Sequence, residues 1–406
     1  MKKTIFLLIL ISGLIVSSCG PFGNKTIEPN LKDEPKSVTK TNPVKVYMHY
    51  MPWFHSKDVS GYWGIHWRMS NKDPDKILAN GNREIAAHYY PLIGPYDSGD
   101  PDLVDYHLLL MKYAGIDGVL IDWYGSHDVL DYGSNLKNSN AFLEGIKRTG
   151  LGFGIVYEEF TAEEVARRKS FTAIEAAQKD MKYLEENYFS SDQYIKIGEK
   201  PLLMTFGPRY FTSKTQWSQI LGSLNKPSSF LPLWNHRHRV GDTNSSGEFA
   251  WVDFTADLTD LNNFYKSTKN ELIMGSAYPG FHDFYAAGGW GNGYGFVDHK
   301  GGQTLENTLQ KAKDYDLPYI QFVTWNDFGE GTMFEPTQEF QYKFCEMLQD
   351  FTGVSYDKSE LEIIYTYYLK RKEYKGNAEA QVTLDKVFKA LIQLDTDTAK
   401  SLIETL

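Results

Sequence analysis

The chain has 406 residues, of which 42% are hydrophobic and 23% are charged. This balance excludes intrinsic disorder over most of the chain, and the length is sufficient for a large buried core. The 42 basic and 52 acidic residues give a net charge of −10, which argues against nucleic acid as a partner.

The N-terminus has the pattern of a secretion signal. Lys2 and Lys3 precede the apolar run 5–11, and small residues then lead to Cys19. A cysteine directly after two serines resembles a bacterial lipobox, so we predict a lipoprotein signal peptide over residues 1–18 and lipidation of Cys19. Ordinary cleavage beside an incidental cysteine is the alternative. Residues 19–43 lack periodicity and predict a flexible tether.

The lipid anchor would place the protein on a membrane of the bacterial cell envelope. We expect the outer membrane, with the domain on its periplasmic or its surface face. The partners we expect are therefore this membrane, through Cys19, and a glycan substrate, with a monomer as the oligomeric state.

From residue 44 onward, short apolar segments alternate with helical patterns. In chain order we predict strands at 44–52, 115–124, 152–160, 200–208, 230–237, 271–280 and 319–327, with an eighth at either 85–90 or 249–255. We predict helices between them at 102–114, 139–149, 162–187, 214–224, 257–268 and 304–315.

The alternation of apolar strands with helices predicts an α/β protein whose parallel sheet is covered on both faces. About eight such units favour a (β/α)₈ TIM barrel over residues 44–352. An open nucleotide-binding sheet would need a glycine-rich turn after its first strand, and residues 51–55 contain no glycine. Residues 353–406 predict a C-terminal helical extension packed on the barrel, with a break near 375–377.

Polar and aromatic side chains follow the predicted strands, and in a barrel these strand ends meet at one rim. Carboxylates with aromatic rings, without a cysteine- or histidine-based ligand set, predict a carbohydrate site and neither a metal nor a cofactor. Rings stack on sugar faces, and carboxylates accept hydrogen bonds from hydroxyl groups. The substrate-binding candidates are Glu158, Tyr50, Trp53, His66, Trp67, Trp123, Tyr124, Tyr278, His282, Trp325, Asn326 and Glu335.

Two carboxylates three residues apart, Asp327 and Glu330, follow the last predicted strand. Glycosidic cleavage needs one carboxyl group as an acid and a second as a base or nucleophile, and we predict these roles for this pair. Glycines at 329 and 331 permit the turn that would aim both inward, although a structural turn is the alternative. As the acid, Glu330 needs a raised pKa, and Trp325, Phe328 and Phe334 are candidates for the apolar cover.

Several motifs in order resemble glycoside hydrolase family 99, a family of (β/α)₈ endo-acting α-mannosidases and α-mannanases. The resemblance covers roughly residues 44–340 and is carried by the segments 64–67, 88–98, 100–101, 114–116, 122–124, 277–281 and 325–336. It implies hydrolysis of an α-mannoside linkage in a polysaccharide or N-glycan. It also implies that Glu330 is the acid/base residue, that Asp327 is the base and that Glu158 binds substrate.

Asp327 departs from the family 99 pattern, which has glutamate at this position. Trp-Asn-Asp followed by Gly-Glu is closer to family 71, the α-1,3-glucanases, so the chain is best described as family 71/99-like. In a family 99 mechanism Asp327 would deprotonate the 2-hydroxyl of the sugar, with retention. In a family 71 mechanism it would activate water, with inversion.

Three alternatives to an endo-acting α-mannan or N-glycan hydrolase remain open at this point. They are an α-1,3-glucanase, an exo-acting glycosidase on short substrates, and a glycan-binding lipoprotein that has lost catalysis. The presence of two carboxylates rather than amides at 327 and 330 favours an enzyme.

Overall fold

The computed structural model describes residues 31–267 and 272–406. The predicted signal peptide and Cys19 therefore lie outside the described residues. Within them, residues 31–406 form one compact unit. The strands are β1 Lys45–Tyr50, β2 Gly118–Trp123, β3 Gly152–Tyr157, β4 Lys196–Ile197, β5 Lys200–Thr205, β6 Ser229–Pro232, β7 Gly247–Phe249, β8 Leu272–Ala277, β9 Phe281–His282, β10 Phe296–Val297 and β11 Tyr319–Phe322.

Helices lie between these strands and after the last of them. They are α1 Lys57–Ser60, α2 Ile65–Arg68, α3 Pro101–Tyr113, α4 Tyr132–Thr149, α5 Thr161–Arg168, α6 Ala173–Asn187, α7 Lys214–Leu221, α8 Arg237–Val240, α9 Thr259–Tyr265, α10 Tyr285–Gly288, α11 Gln303–Asp314, α12 Lys343–Thr352, α13 Lys358–Glu373, α14 Ala378–Ile392 and α15 Thr396–Ile403. No helix in the described part of the chain combines the length and apolarity that crossing a membrane requires.

Eight parallel strands of the described chain form a closed barrel, which confirms the predicted fold class. Around the barrel they run β1, β2, β3, β5, β6, β7, β8 and β11, and β11 pairs again with β1. Between β6 and β7 the closure depends on backbone bonds, in which Trp234 N donates to Phe249 O at 2.8 Å and Ser246 N donates to Phe230 O at 2.9 Å. The two-residue strand β4 pairs antiparallel with β5 outside this ring.

The eighth barrel strand, β7, overlaps the start of the alternative predicted at 249–255, and residues 85–90 form no strand. The segment 85–90 has strand-like composition, but Ala86 N donates to Trp67 O in α2 and Tyr90 O accepts from Gln338 N in a loop, so neither residue bonds to a sheet. The predicted long helix 162–187 is two helices, α5 and α6. A capping box causes the break, because the Thr172 side chain accepts from Glu175 N and the Glu175 side chain accepts from Thr172 N.

The C-terminal helices pack on the outside of the barrel, where α13 contacts α3. Lys372 Nζ on α13 lies 2.7 Å from Asp102 Oδ2 at the start of α3, and Tyr113 on α3 donates its hydroxyl to Leu391 O at 3.0 Å. Residues 31–43 differ from the free tether that we expected. Lys36 N donates to Ile392 O and Thr41 N donates to Gly353 O, so this part of the chain is attached to the domain.

Candidate active site

A cavity of about 570 Å³ opens at the end of the barrel where the parallel strands finish. Four carboxyl groups line it: Asp122 from β2, Glu158 after β3, and Asp327 and Glu330 after β11. Aromatic rings and one arginine complete the wall, among them Trp53, Tyr124, Phe206, Arg209, Trp251, Tyr285, Trp290 and Tyr294.

A tight turn after β11 brings Asp327 and Glu330 to the same cavity. Asp327 N donates to Thr324 Oγ1 at 2.8 Å, and Glu330 N donates to Asp327 Oδ1 at 2.9 Å. Gly331 closes the turn with a φ of +66°, where a Cβ would lie 2.7 Å from His282 O. Glycine is therefore required at 331 by both conformation and space.

Neighbouring backbone fixes the turn from the other side. His282 N donates to Glu330 O and Phe284 N donates to Gly329 O, both at 2.8 Å. The Tyr285 hydroxyl lies 3.2 Å from Glu330 Oε1 and donates to it. The backbone of Glu330 is thus fixed by a main-chain hydrogen bond, and its carboxyl group is fixed by the Tyr285 hydroxyl.

Burial controls the proton on each member of this pair. Burial, followed by the nearby Asp327 carboxylate, raises the pKa of Glu330 well above its usual range. Burial also raises the pKa of Asp327 to about 7, against hydrogen bonds from the Glu330 and Gly329 N–H groups that lower it. When the pair shares one proton near neutral pH, the proton resides on Glu330, as a general acid requires.

The predicted apolar cover of Glu330 differs from what the structure shows. Trp325, Phe328 and Phe334 are fully buried but do not line the cavity. The cavity wall near Glu330 includes Met69 and Tyr285 instead. The three predicted rings pack instead against buried rings of surrounding helices, Trp325 on His107, Phe328 on Trp67 and Phe334 on Phe344.

Six of the predicted site residues lie on the cavity wall: Trp53, His66, Tyr124, Glu158, Asp327 and Glu330. Trp53 and His66 stack at 4.1 Å with an angle of 4° between their planes. Burial, followed by the nearby His55, lowers the pKa of His66 to about 3, so its imidazole is neutral. This pair forms a flat surface of the kind on which a sugar face stacks.

Eight other predicted site residues are not among the residues that line the cavity. Asn326 is buried and bonded to the backbone of Met51, from which it accepts at 2.8 Å and to which it donates at 2.9 Å. Glu335 is also buried, accepting from the Tyr96 hydroxyl at 2.6 Å, with His107 Nε2 at 3.3 Å from its other oxygen. The remaining six pack against core or loop partners: Tyr50 on Phe142, Trp67 on Phe54, Trp123 on Tyr183, Tyr278 on Asp253, His282 on His88 and Trp325 on His107.

The sequence prediction omitted other cavity residues. Asp122 carried a visible signal, since it is a carboxylate at the end of an otherwise apolar strand. Arg209 follows β5 by four residues, and Tyr285, Trp290 and Tyr294 lie in or beside a glycine-rich loop, where no periodicity indicates a role. Within residues 31–267 and 272–406, no group of three or more His, Cys, Asp or Glu side chains is arranged to hold a metal ion.

Comparison with known proteins gives a consistent result. The sequence model of Glycosyl hydrolase family 99 matches residues 41–229. A mouse glycoprotein endo-alpha-1,2-mannosidase-like protein is 24% identical over 324 residues, covering 71% of this chain and 69% of its own length. A Xenopus laevis glycoprotein endo-alpha-1,2-mannosidase is 22% identical over 371 residues, covering 80% of each chain.

A solved structure shares the fold. The GH99 endo-alpha-mannosidase from Bacteroides thetaiotaomicron superposes with a TM-score of 0.59 and 19% identity, covering 79% of this chain and 98% of that one. This likeness, like the relatives above, agrees with the family resemblance of the motifs.

Proposed function

We propose that this protein, a family 99-like glycoside hydrolase, cleaves internal α-mannoside linkages of a polysaccharide or N-glycan. One observation carries the proposal: Asp327 and Glu330 line the same cavity, where burial raises the pKa of both carboxyl groups. The names of the relatives supply the sugar, since those proteins are described as endo-alpha-mannosidases.

In the proposed reaction Glu330 donates its proton to the glycosidic oxygen while the bond from that oxygen to the anomeric carbon breaks. Asp327 removes a proton on the other side of the reacting sugar. In the family 99 route this proton comes from the 2-hydroxyl, whose oxygen closes on the anomeric carbon as the leaving group departs. Water then opens this ring at the anomeric carbon, giving its proton to Glu330, while Asp327 returns a proton to the 2-oxygen. In the family 71 route it comes from a water molecule. The shorter aspartate side chain is compatible with either route.

The environment of Glu330 supports the acid role. A carboxyl group that stays protonated near neutral pH needs a raised pKa, and burial followed by the Asp327 carboxylate raises the pKa of Glu330 well above its usual range. Asp327 has two backbone N–H groups that favour its ionised form. The environment of Glu330 therefore favours its protonated form, as an acid requires, and the N–H groups around Asp327 favour its ionised form, as a base requires.

Exposed rings at the rim of the cavity support action within a longer glycan. Trp290 and Tyr294 line the cavity with 38% and 70% of their surfaces exposed. Large exposed aromatic side chains at a cleft offer stacking faces for further sugar units. These faces support binding of a glycan that is longer than the two sugars flanking the cleaved bond.

The cellular setting of the proposal comes from the sequence pattern at residues 1–43. We propose that Cys19 carries the lipid and that the monomeric domain acts at the outer membrane, on its periplasmic or surface face. Metabolic labelling with a fatty-acid analogue tests this, because a Cys19→Ala variant should lose the label and leave the membrane fraction. A membrane-bound, unlabelled wild type would contradict it.

The function is tested by incubating the full chain with an α-mannan, an N-glycan and an α-1,3-glucan. The proposal predicts that oligosaccharides are released from the first or the second. Release from the α-1,3-glucan alone would support the family 71 alternative, and release of single sugars only would support exo action. Binding without any product would support a glycan-binding lipoprotein.

A further inference from the structure

Asp122 lies in the cavity, where the carboxyl group of Glu158 is its side-chain neighbour within hydrogen-bond reach. Asp122 is 2% exposed at the end of β2, and no nitrogen or hydroxyl group of the described chain donates a hydrogen bond to either of its carboxyl oxygens. A buried polar atom without a partner costs free energy of the order of 1–3 kcal/mol. In a cavity wall this arrangement indicates that a ligand supplies the missing hydrogen bonds.

Glu158 lies beside Asp122 and also has a buried carboxyl oxygen to which no nitrogen or hydroxyl group of the described chain donates. The strands β2 and β3 are neighbours that pair Trp123 with Tyr157, and Glu158 N donates to Trp123 O at 3.0 Å. This buried oxygen of Glu158 is Oε2. Two adjacent carboxyl groups that contact each other therefore line one cavity, and each retains an oxygen that can accept a hydrogen bond from a ligand.

The order of strands fixes where this pair lies relative to the acid. Around the barrel the neighbouring strands are, in order, β3, β2, β1 and β11. Asp122, on β2, is therefore one strand nearer to Asp327 than Glu158, which follows β3. The charges of Glu158 and Asp327 both act on Asp122, those of Asp327 and Asp283 act on Glu330, and the Arg209 guanidinium acts on both groups. The cavity thus runs from Glu158 and Asp122, past Asp327, to Glu330 and Tyr285.

This order assigns a direction to the glycan. The general acid protonates the oxygen of the leaving group, so the leaving sugar lies at the Glu330 and Tyr285 end. The sugar that contributes the anomeric carbon, with any unit on its non-reducing side, lies toward Asp122 and Glu158. The argument rests on the proposed function, because it takes Glu330 as the acid.

We propose that Asp122 and Glu158 together bind two neighbouring hydroxyl groups of the glycan on the non-reducing side of the cleaved bond, and that Asp122 sets specificity there. Each hydroxyl donates its O–H to one carboxyl oxygen. Arg209, whose guanidinium lies 4.8 Å from the centre of the Phe206 ring, faces the same cavity and offsets the charge of the two carboxyl groups.

Binding of α-mannooligosaccharides to the full-length Glu330→Gln protein tests this proposal by calorimetry without turnover. The ligands are one parent oligosaccharide and its monodeoxy analogues, each lacking one hydroxyl on the non-reducing side. Asp122→Asn and Asp122→Ala are added to the same background, and Glu306→Gln on the outer helix α11 is the matched control. We expect one or two analogues to bind about 10- to 100-fold more weakly than the parent. The affinity for those same analogues should fall only slightly further when Asp122 is replaced by alanine.

The outcomes separate this proposal from the proposed function. Suppose that wild type cleaves α-mannan, but that Asp122→Ala lowers the affinity for the parent and for every analogue equally, or does not lower it at all. The role of Asp122 is then overturned and the proposed function stands. If the parent binds with the expected coupling to Asp122 but no α-mannoside is cleaved, the subsite stands and the catalytic proposal fails. Absence of both binding and cleavage overturns both. Unchanged thermal unfolding of Asp122→Asn shows that a loss is not one of folding.

Discussion

The phenol of Tyr285 donates to Oε1 of Glu330 across 3.2 Å, from the start of α10 after β9 to a turn that follows β11. This contact joins the exposed aromatic loop to the proposed acid. It indicates that the loop containing Trp290 lies on the side from which the leaving group departs. The direction of the cleft and the protonation of Glu330 both depend on it.

Replacement of Tyr285 by phenylalanine should move the pH profile. The hydroxyl stabilises the ionised form of Glu330 and so lowers its pKa, which means that the pKa rises when the hydroxyl is removed. The alkaline limb of kcat/KM, where Glu330 loses its proton, should shift to higher pH, with a loss of about tenfold at the optimum. An alkaline limb that stays in place in Tyr285→Phe would show that the contact does not tune the acid.

Trp290→Ala should lower kcat/KM only for substrates whose leaving group is a sugar. The Trp290 ring stacks on Tyr285, with centroids 6.2 Å apart and planes 16° apart. Loss of one stacking face should lower kcat/KM for a long oligosaccharide by about tenfold. A glycosyl fluoride, whose leaving group occupies no sugar subsite, serves as the internal control and should react as with wild type. Equal losses on both substrates would place Trp290 elsewhere in the cleft.

The buried charge at Asp327 should cost stability. Its pKa is raised from 3.8 to about 7, so the folded protein favours the protonated form. The stability contribution is therefore fully present below about pH 4 and is lost as the pH rises toward 7. Asp327→Asn should increase the free energy of unfolding at pH 7 by up to a few kcal/mol, at about 1.4 kcal/mol per pKa unit.

The measurement is denaturant unfolding at pH 4 and at pH 7 for wild type, Asp327→Asn and the surface control Glu306→Gln. The difference between wild type and Asp327→Asn should shrink at the lower pH. A destabilised Asp327→Asn at pH 7 would show that the carboxylate is held by favourable interactions instead of penalised by burial.

Glu335→Gln should affect folding more than substrate binding. The carboxyl group is buried between Tyr96 and His107, away from the cavity. Weakening a buried charge-assisted hydrogen bond should lower the free energy of unfolding by about 1–3 kcal/mol, while KM remains close to the wild-type value. A raised KM with unchanged unfolding would restore the substrate-binding role that the sequence suggested for Glu335.

The fold could be predicted because most barrel strands are continuous apolar segments bounded by helical patterns. The prediction was less certain at β7, which has only three residues and therefore a weak pattern. Helix α5 merged with α6 in the prediction because both are amphipathic and only the Thr172–Glu175 capping box separates them. Such a local hydrogen-bond exchange is visible in sequence only as a four-residue motif.

The site could be predicted in part. Asp327, Glu330 and Glu158 follow strands directly, so the barrel topology alone brings them to one rim. The neighbouring Trp325 and Asn326 are at the same rim in sequence but face the core, since facing depends on the exact turn after β11. Tyr285 and Trp290 come from a loop whose conformation no sequence period specifies.

The most direct test of the account compares wild type with Asp327→Asn and Glu330→Gln on the α-mannan or N-glycan substrate, with Glu306→Gln as the control. Both site variants should lose at least about 10³ in kcat/KM, near 4 kcal/mol of transition-state stabilisation, while the control retains full activity. The assignment of this pair as the catalytic carboxylates would be contradicted if wild type released oligosaccharides and Asp327→Asn or Glu330→Gln had an undiminished kcat/KM.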